Sequence, residues 1–209
     1  MEFTKITKPK FSNDWFSSGP KIIWDKLILN LNPSKILEIG CFEGASTCYL
    51  VENISKKKNI EIHCIDNWNG GLEHREDGFY PIENMNKTYE RFKKNISYVT
   101  HNALYKPKIV IHKDNSDLAL SKLINAGFID YFDFIYIDGS HQAPDVLQDA
   151  VLSFRLLKEK GIVGFDDYLW KEPLSYGNDP IRSPKIAIDA FTNIYCRKIN
   201  IIQYKYNTS

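Results

Sequence analysis

Five short apolar runs, each followed by a segment of helical spacing, constrain this chain more than any other feature. Lys35–Gly40 (KILEIG), Ile60–Asp66 (IEIHCID), Lys108–His112 (KIVIH), Phe132–Asp138 (FDFIYID) and Gly161–Asp166 (GIVGFD) read as strands. Ala45–Ile54 puts Tyr49, Leu50 and Ile54 on one helical face, and Glu83–Tyr98 repeats Met85, Tyr89, Phe92 and Ile96 at spacings of 4, 3 and 4. Ser116–Ala126 reads as a helix closed by Gly127. A helix opening at Pro144 carries Asp145 in its first turn and is expected to bury Leu147, Val151, Phe154 and Leu157. Lys185–Tyr195 reads as another helix. Such alternation demands parallel strand pairing through right-handed crossovers. Strands apolar throughout imply helices on both faces. The expected fold is α/β, a doubly wound, mostly parallel, Rossmann-like sheet.

Residues 1–34 read as an N-terminal arm and helix, and 35–209 as one domain. The arm sets Phe11, Trp15 and Phe16 among Pro9, Gly19 and Pro20, and a helix follows over Lys21–Asn30, ended by Pro33. The aromatic arm suits a crossing to a second subunit, which leaves a homo-oligomer open as an alternative to a monomer. After the last helix only Cys196–Ser209 remains, room for one strand over Ile199–Tyr206.

The 27 Lys and Arg against 26 Asp and Glu leave a net charge of +1, which gives no electrostatic reason for a nucleic-acid or anionic-membrane partner. Lys56–Lys58, the densest basic patch, reads as a solvated turn. No window approaches a membrane span, and MEFTKITKPKF lacks the apolar stretch of a signal peptide. Cys41, Cys48, Cys64 and Cys196 form no CxxC pair and no zinc spacing, as expected of free thiols in a reducing, cytoplasmic setting.

Ligands of such sheets bind beyond the carboxyl ends of the strands. After the first strand, Gly40 and Gly44 permit a tight turn and close backbone approach at a helix start. Phe42 stands where a dinucleotide fingerprint has its second glycine, so a ligand without a pyrophosphate fits better. Asp66, 26 residues beyond Gly40, reads either as an acceptor for both hydroxyls of a ribose or as a turn former. Asp114, Asn115 and Ser116 either face a purine edge or cap the next helix. The fourth and fifth strands end at Asp138 and at Asp166-Asp167. If these strands pair, three carboxylates meet His141 at one rim. Clustered carboxylates repel and favour a hard cation such as Mg²⁺. Adjacent strand residues point to opposite faces, so Asp166 and Asp167 converge only where the strand curls into its loop. His141 is a candidate general base.

The motifs ILEIGCFEGAS, CIDNW, FDFIYIDGSH and GIVGFDDY, followed by PKIAIDAF, resemble class I S-adenosylmethionine-dependent methyltransferases. The resemblance is to the small-molecule O-methyltransferases that include macrolide-sugar and rhamnosyl enzymes. It implies that the Glu38–Gly44 loop cradles the methionine moiety, that Asp66 holds the ribose and that Ser116 lies near the adenine. Phe42 and Ser46 on the loop and Asn67 beside Asp66 complete the expected cofactor-binding set. It further implies Mg²⁺ held by Asp138, Asp166 and Asp167, with His141 as base. The expected reaction is methyl transfer to a small-molecule hydroxyl, favouring a sugar. A metal-free variant would use His141 or Asp138 as base. The rival classes are an NAD-dependent oxidoreductase, against which the missing G-x-G-x-x-G counts, and an inactive binding module. Asn67–Pro81 reads as a polar lid, with Glu73 and His74 either entering the site or lying on a solvated loop.

Overall fold

The structure is a computed structural model that describes residues 7–75, 78–82 and 84–202. Its strands are β1 (Lys35–Ile39), β2 (Glu61–Ile65), β3 (Lys108–His112), β4 (Phe132–Ile137) and β5 (Leu157–Phe165). The helices are α1 (Trp15–Ser18), α2 (Lys21–Trp24), α3 (Ile28–Leu31), α4 (Ala45–Ile54), α5 (Met85–Asn102), α6 (Ser116–Asn125), α7 (Ala143–Phe154) and α8 (Lys185–Ile194). All strand pairs are parallel, in the order β3-β2-β1-β4-β5. The order reverses between β1 and β4, the crevice where doubly wound sheets place ligands.

Two apolar layers cover the sheet. On one face Ile36, Ile62, Phe134 and Tyr136 pack with Leu50, Ile54, Phe92 and Ile96 from α4 and α5. On the other, Leu37, Ile39, Ile135 and Ile137 pack with Leu120, Leu123, Ala150 and Phe191 from α6, α7 and α8. Among the described residues no helix is long and apolar enough to cross a membrane.

Several expectations are corrected. The helix over Lys21–Asn30 is two short helices, α2 and α3. Trp24 and Ile28 both turn into the sheet's core, and Asp25 between them accepts a bond from the Tyr49 hydroxyl. The arm lies against its own chain, with Ser12 bonded to Glu43 and Lys10 to Asn95. Helix α5 runs four residues past Tyr98, carrying Val99 into the core in step with Phe92 and Ile96. Helix α7 buries Val146, Ala150 and Ser153, whereas Val151 is exposed. Leu157 belongs to β5, which starts four residues early and bulges at Lys160 (φ +65°) before Ile162 rejoins Phe134. Of the strand expected over Ile199–Tyr206, residues 199–202 are not extended into the sheet, and the rest lies outside the described residues.

Beyond their last paired residues the inner strands stay laddered. The Asp138 N–H donates to the Ile39 carbonyl (2.8 Å) and the Asp166 N–H to that of Ile137 (3.0 Å). Gly40 fits this seam because it has no side chain. At φ +85°, a Cβ there would stand 1.9 Å from the Asp138 carbonyl oxygen. Gly127 shares the φ of +85° but a Cβ there would meet nothing within 4 Å. Gly127→Ala should therefore cost only the backbone strain, about 1 kcal/mol. Gly40→Ala adds a clash with main chain and should cost about 3–5 kcal/mol in urea unfolding. Equal losses would remove the seam as the reason for Gly40.

A second test concerns Asp149 of α7, which lies 2% exposed with Oδ1 unpartnered. Burial pushes its carboxyl up to about 7 from 3.8, a bond from Ser116 offsetting only part. A carboxyl raised on folding lets the native state bind more protons, so stability falls as pH rises from about 4 to 7. The loss reaches roughly 4 kcal/mol. Asp149→Asn should flatten that slope, raising Tm above wild type at pH 8 with no gain at pH 4.

Candidate active site

A cleft of about 920 Å³ opens over the β1–β4 crevice. Its floor is the turn between β1 and α4. Cys41 and Phe42 donate their backbone N–H groups to Asp66 Oδ2, both at 2.9 Å, while Trp68 donates to Oδ1 (2.7 Å). Burial raises the Asp66 carboxyl, and these three bonds work against that shift. Three donors leave this carboxylate about one free acceptor position. It holds the loop while still lining the cleft.

The expected cofactor residues divide in two. Gly40, Phe42, Ser46, Asp66, Asn67 and Ser116 line the cleft, whereas Glu38 and Gly44 do not. Glu38 is fully buried beneath the loop, where the Ser46 and Thr47 hydroxyls bond its two oxygens, and burial pushes it up to about 7 despite them. Gly44 at φ +80° packs against α5, where a Cβ would lie 2.9 Å from the Phe92 ring. Asn115 occupies the cap position of α6 without capping it, and accepts instead from the Asn67 amide (2.9 Å). Ser116 both lines the cleft and bonds the buried Asp149.

Across the seam from Gly40 the carboxylates of Asp138, Asp166 and Asp167 each bring an oxygen within 4.8 Å of the others. The ladder across the ends of β4 and β5 sets Asp138 beside Asp166. Asp167 takes a φ of +57°, which breaks the strand alternation and turns its carboxylate back towards the same point. Burial and the charges of Asp166 and Asp167 hold Asp138 well above the usual carboxylate range. Burial and Asp167 raise Asp166 as well, although the Tyr136 hydroxyl donates to it (2.6 Å). An oxygen-only trio of repelling carboxylates fits a hard divalent cation.

His141 is clamped. Nε2 lies 2.8 Å from Asp167 Oδ2 and Nδ1 lies 3.1 Å from Glu73 Oε1, while Trp170 stacks on the ring at 4.1 Å. Burial disfavours its charge, but the two carboxylates outweigh burial and push it up to about 10. With a carboxylate at each ring nitrogen, His141 is held towards its protonated form.

Glu73 is the residue that sequence reasoning underrated. It is 2% exposed, in a single 3-10 turn (Leu72–His74) of the lid, and bonding to His141 holds its carboxyl low against the effect of burial. The signal was present in two glycines. A Cβ on Gly71 would stand 2.4 Å from Glu73 Oε1, and one on Gly78 would stand 2.4 Å from the Glu73 carbonyl. Trp170 had no comparable signal.

Residues 37–168 match the model of a family described as a methyltransferase domain. A curated relative, the uncharacterized protein R132 of Acanthamoeba polyphaga mimivirus, is 29% identical over 134 residues, which is 63% of this chain and 50% of that one. The chain thus spans half the length of that relative. Among solved structures, an O-methyltransferase from Bacillus cereus in complex with SAH is 17% identical with a TM-score of 0.59, covering 92% of this chain and 73% of the other. The O-methyltransferase TomG from Streptomyces achromogenes, involved in tomaymycin synthesis and solved with SAM, is 15% identical with a TM-score of 0.57, covering 86% and 69%. At such identities these two structures establish the shared fold. The family match covers well over half of the sequence, and the chain belongs to the methyltransferase-domain family.

Proposed function

We propose that the protein is an S-adenosylmethionine-dependent O-methyltransferase acting on a hydroxyl of a small molecule, a sugar by the resemblance in its motifs. The observation that carries this reading is the convergence of Asp138, Asp166 and Asp167 in the cleft, across the seam from the glycine turn.

The chemistry of the wall suits that donor. Nine carboxylates and one arginine, with no lysine, line the cleft among the described residues. Such a wall attracts a sulfonium and an ammonium group and repels a pyrophosphate. Together with Phe42 in the place of a fingerprint glycine, it leaves the NAD-dependent reading without support. The bound donor would supply an activated methyl group on a positively charged sulfur.

The acceptor oxygen attacks that methyl carbon in line. A C–O bond forms, the C–S bond breaks with its electron pair going to sulfur, and the hydroxyl proton goes to a base. Alignment alone is worth up to about 7–11 kcal/mol in favourable cases. Asp138, Asp166 and Asp167 would hold a divalent cation, which lowers the pKa of an acceptor hydroxyl and orients it. Glu73 fixes the His141 ring through Nδ1 and aims Nε2 at the strand ends. Once the charge on Asp167 is compensated, the imidazole can release its extra proton, and Nε2 is then the atom placed to take the acceptor's.

One observation favours a second, metal-free reading. Both ring nitrogens of His141 already face carboxylates, while burial and like charge raise the proton affinity of Asp138. In that version Asp138 takes the proton. The free cysteines, three of them buried, suit a reducing, cytoplasmic setting under either reading.

Asp138→Asn preserves shape and removes the charge. It should lower methyl transfer to a panel of small hydroxyl compounds by about 100-fold or more, while the affinity for S-adenosylhomocysteine in calorimetry stays within about threefold. Full activity in this variant would end both readings. EDTA should abolish turnover and Mg²⁺ restore it; turnover indifferent to EDTA selects the metal-free version.

A further inference from the structure

The N-terminal arm is fastened to the turn between β1 and α4 by buried polar groups. Glu43, 2% exposed, lies on that turn between Phe42 and Gly44. Its carboxylate accepts from the Ser12 N–H (2.6 Å) and the Ser12 hydroxyl (2.9 Å), and it pairs with Arg91 of α5. Beside it Asn95, 3% exposed, exchanges two 3.0 Å bonds with the Lys10 backbone and donates to the Glu43 carbonyl (2.9 Å). Buried polar groups are costly to leave unpaired. Lifting the arm away would take two bonds from each, leaving Glu43 with Arg91 and Asn95 with the Glu43 carbonyl.

What the docked arm delivers to the cleft is Trp15. Its ring lies 5.4 Å from Phe42, 5.7 Å from Tyr80 in an edge contact, and 6.3 Å from His74 at an angle of only 12°. Three aromatic neighbours fix the indole, yet it stays 45% exposed on the cleft wall. A preset ring with open area binds a flat partner at little cost in ordering. His74 connects this wall to the reacting end, because its neighbour Glu73 bonds His141, which bonds Asp167. Trp15 and the three aspartates line one cleft, so Trp15 is among the walls open to the body of an acceptor whose hydroxyl sits at the aspartates.

We infer that Trp15, positioned by Glu43 through the arm, selects the acceptor by stacking on the apolar face of a hydroxyl-bearing ring. This inference rests on the O-methyltransferase reading. The shared chemistry is a ring with vicinal hydroxyls and one flat or C–H-rich face, which an aryl diol and a pyranoside both offer.

The test is calorimetric titration of the full chain, saturated with S-adenosylhomocysteine and Mg²⁺, with two probes in turn: 2,3-dihydroxynaphthalene and methyl α-L-rhamnopyranoside. At least one should bind wild type, and which one does identifies the class of ring. Trp15→Ala should weaken that probe tenfold or more, and Trp15→Phe should recover most of the loss, which a merely structural role would not produce. Glu43→Gln should weaken the same probe while trypsin cleavage after Lys10 accelerates. Should that variant fail to fold, Ser12→Pro, which removes both the N–H and the hydroxyl donor at an exposed arm residue, makes the same test. Binding of neither probe, or binding indifferent to Trp15→Ala, overturns the inference. Failure of S-adenosylhomocysteine itself to bind wild type overturns instead the reading beneath it.

Discussion

The close approach of β1 and β4 at their carboxyl ends is the constraint on which the rest of this molecule depends. Gly40 lies against the main chain of Asp138 with no room for a Cβ, and the Asp138 N–H continues the ladder to Ile39. That contact sets the glycine turn beside the acidic strand ends. A wider seam would separate the floor of the cleft from the cluster that gives it chemistry. The cluster inherits its geometry from two further backbone facts, the bond from Asp166 to Ile137 and the positive φ of Asp167.

Around this seam the structure is tied together by polar groups out of water. Asp66 gathers three N–H groups of its own turn and the next, Glu43 gathers the arm, and Glu73 gathers His141 into the lid. Each is a carboxylate whose partners come from a different stretch of chain. In a low-dielectric setting such bonds are expensive to break singly. Turn, arm and the segment after β2 are thus each tied by an anion in addition to their aromatic contacts with the core.

Much of this was legible in the sequence, and the failures have common causes. The strands were visible because parallel strands covered on both faces are apolar throughout. The convergence of the acidic strand ends followed from topology alone. Boundaries failed where tertiary packing overrode periodicity, as at Asp25, where Tyr49 interrupts a helix, and at Lys160, where β5 bulges. Site geometry escapes the sequence where a side chain has more than one partner. Glu38 and Asp66 look like ligand-facing carboxylates in one dimension, but their own loops claim them first. His141 shows no sign in sequence of two carboxylates from distant segments, so its charge state was unreadable. Residue 73 sits in a polar stretch whose composition resembles any surface loop, and only its flanking glycines mark it out.

The seam at Gly40 has one further consequence. What presses on that glycine is the carbonyl at position 138, an atom every amino acid carries, and not the carboxylate that gives the position its reactivity. Steric demand and chemical role thus sit on the same residue yet make no claim on each other. The scaffold tolerates exchange of the functional group at 138 without losing its joint, so one architecture can host altered reactivity by a single replacement.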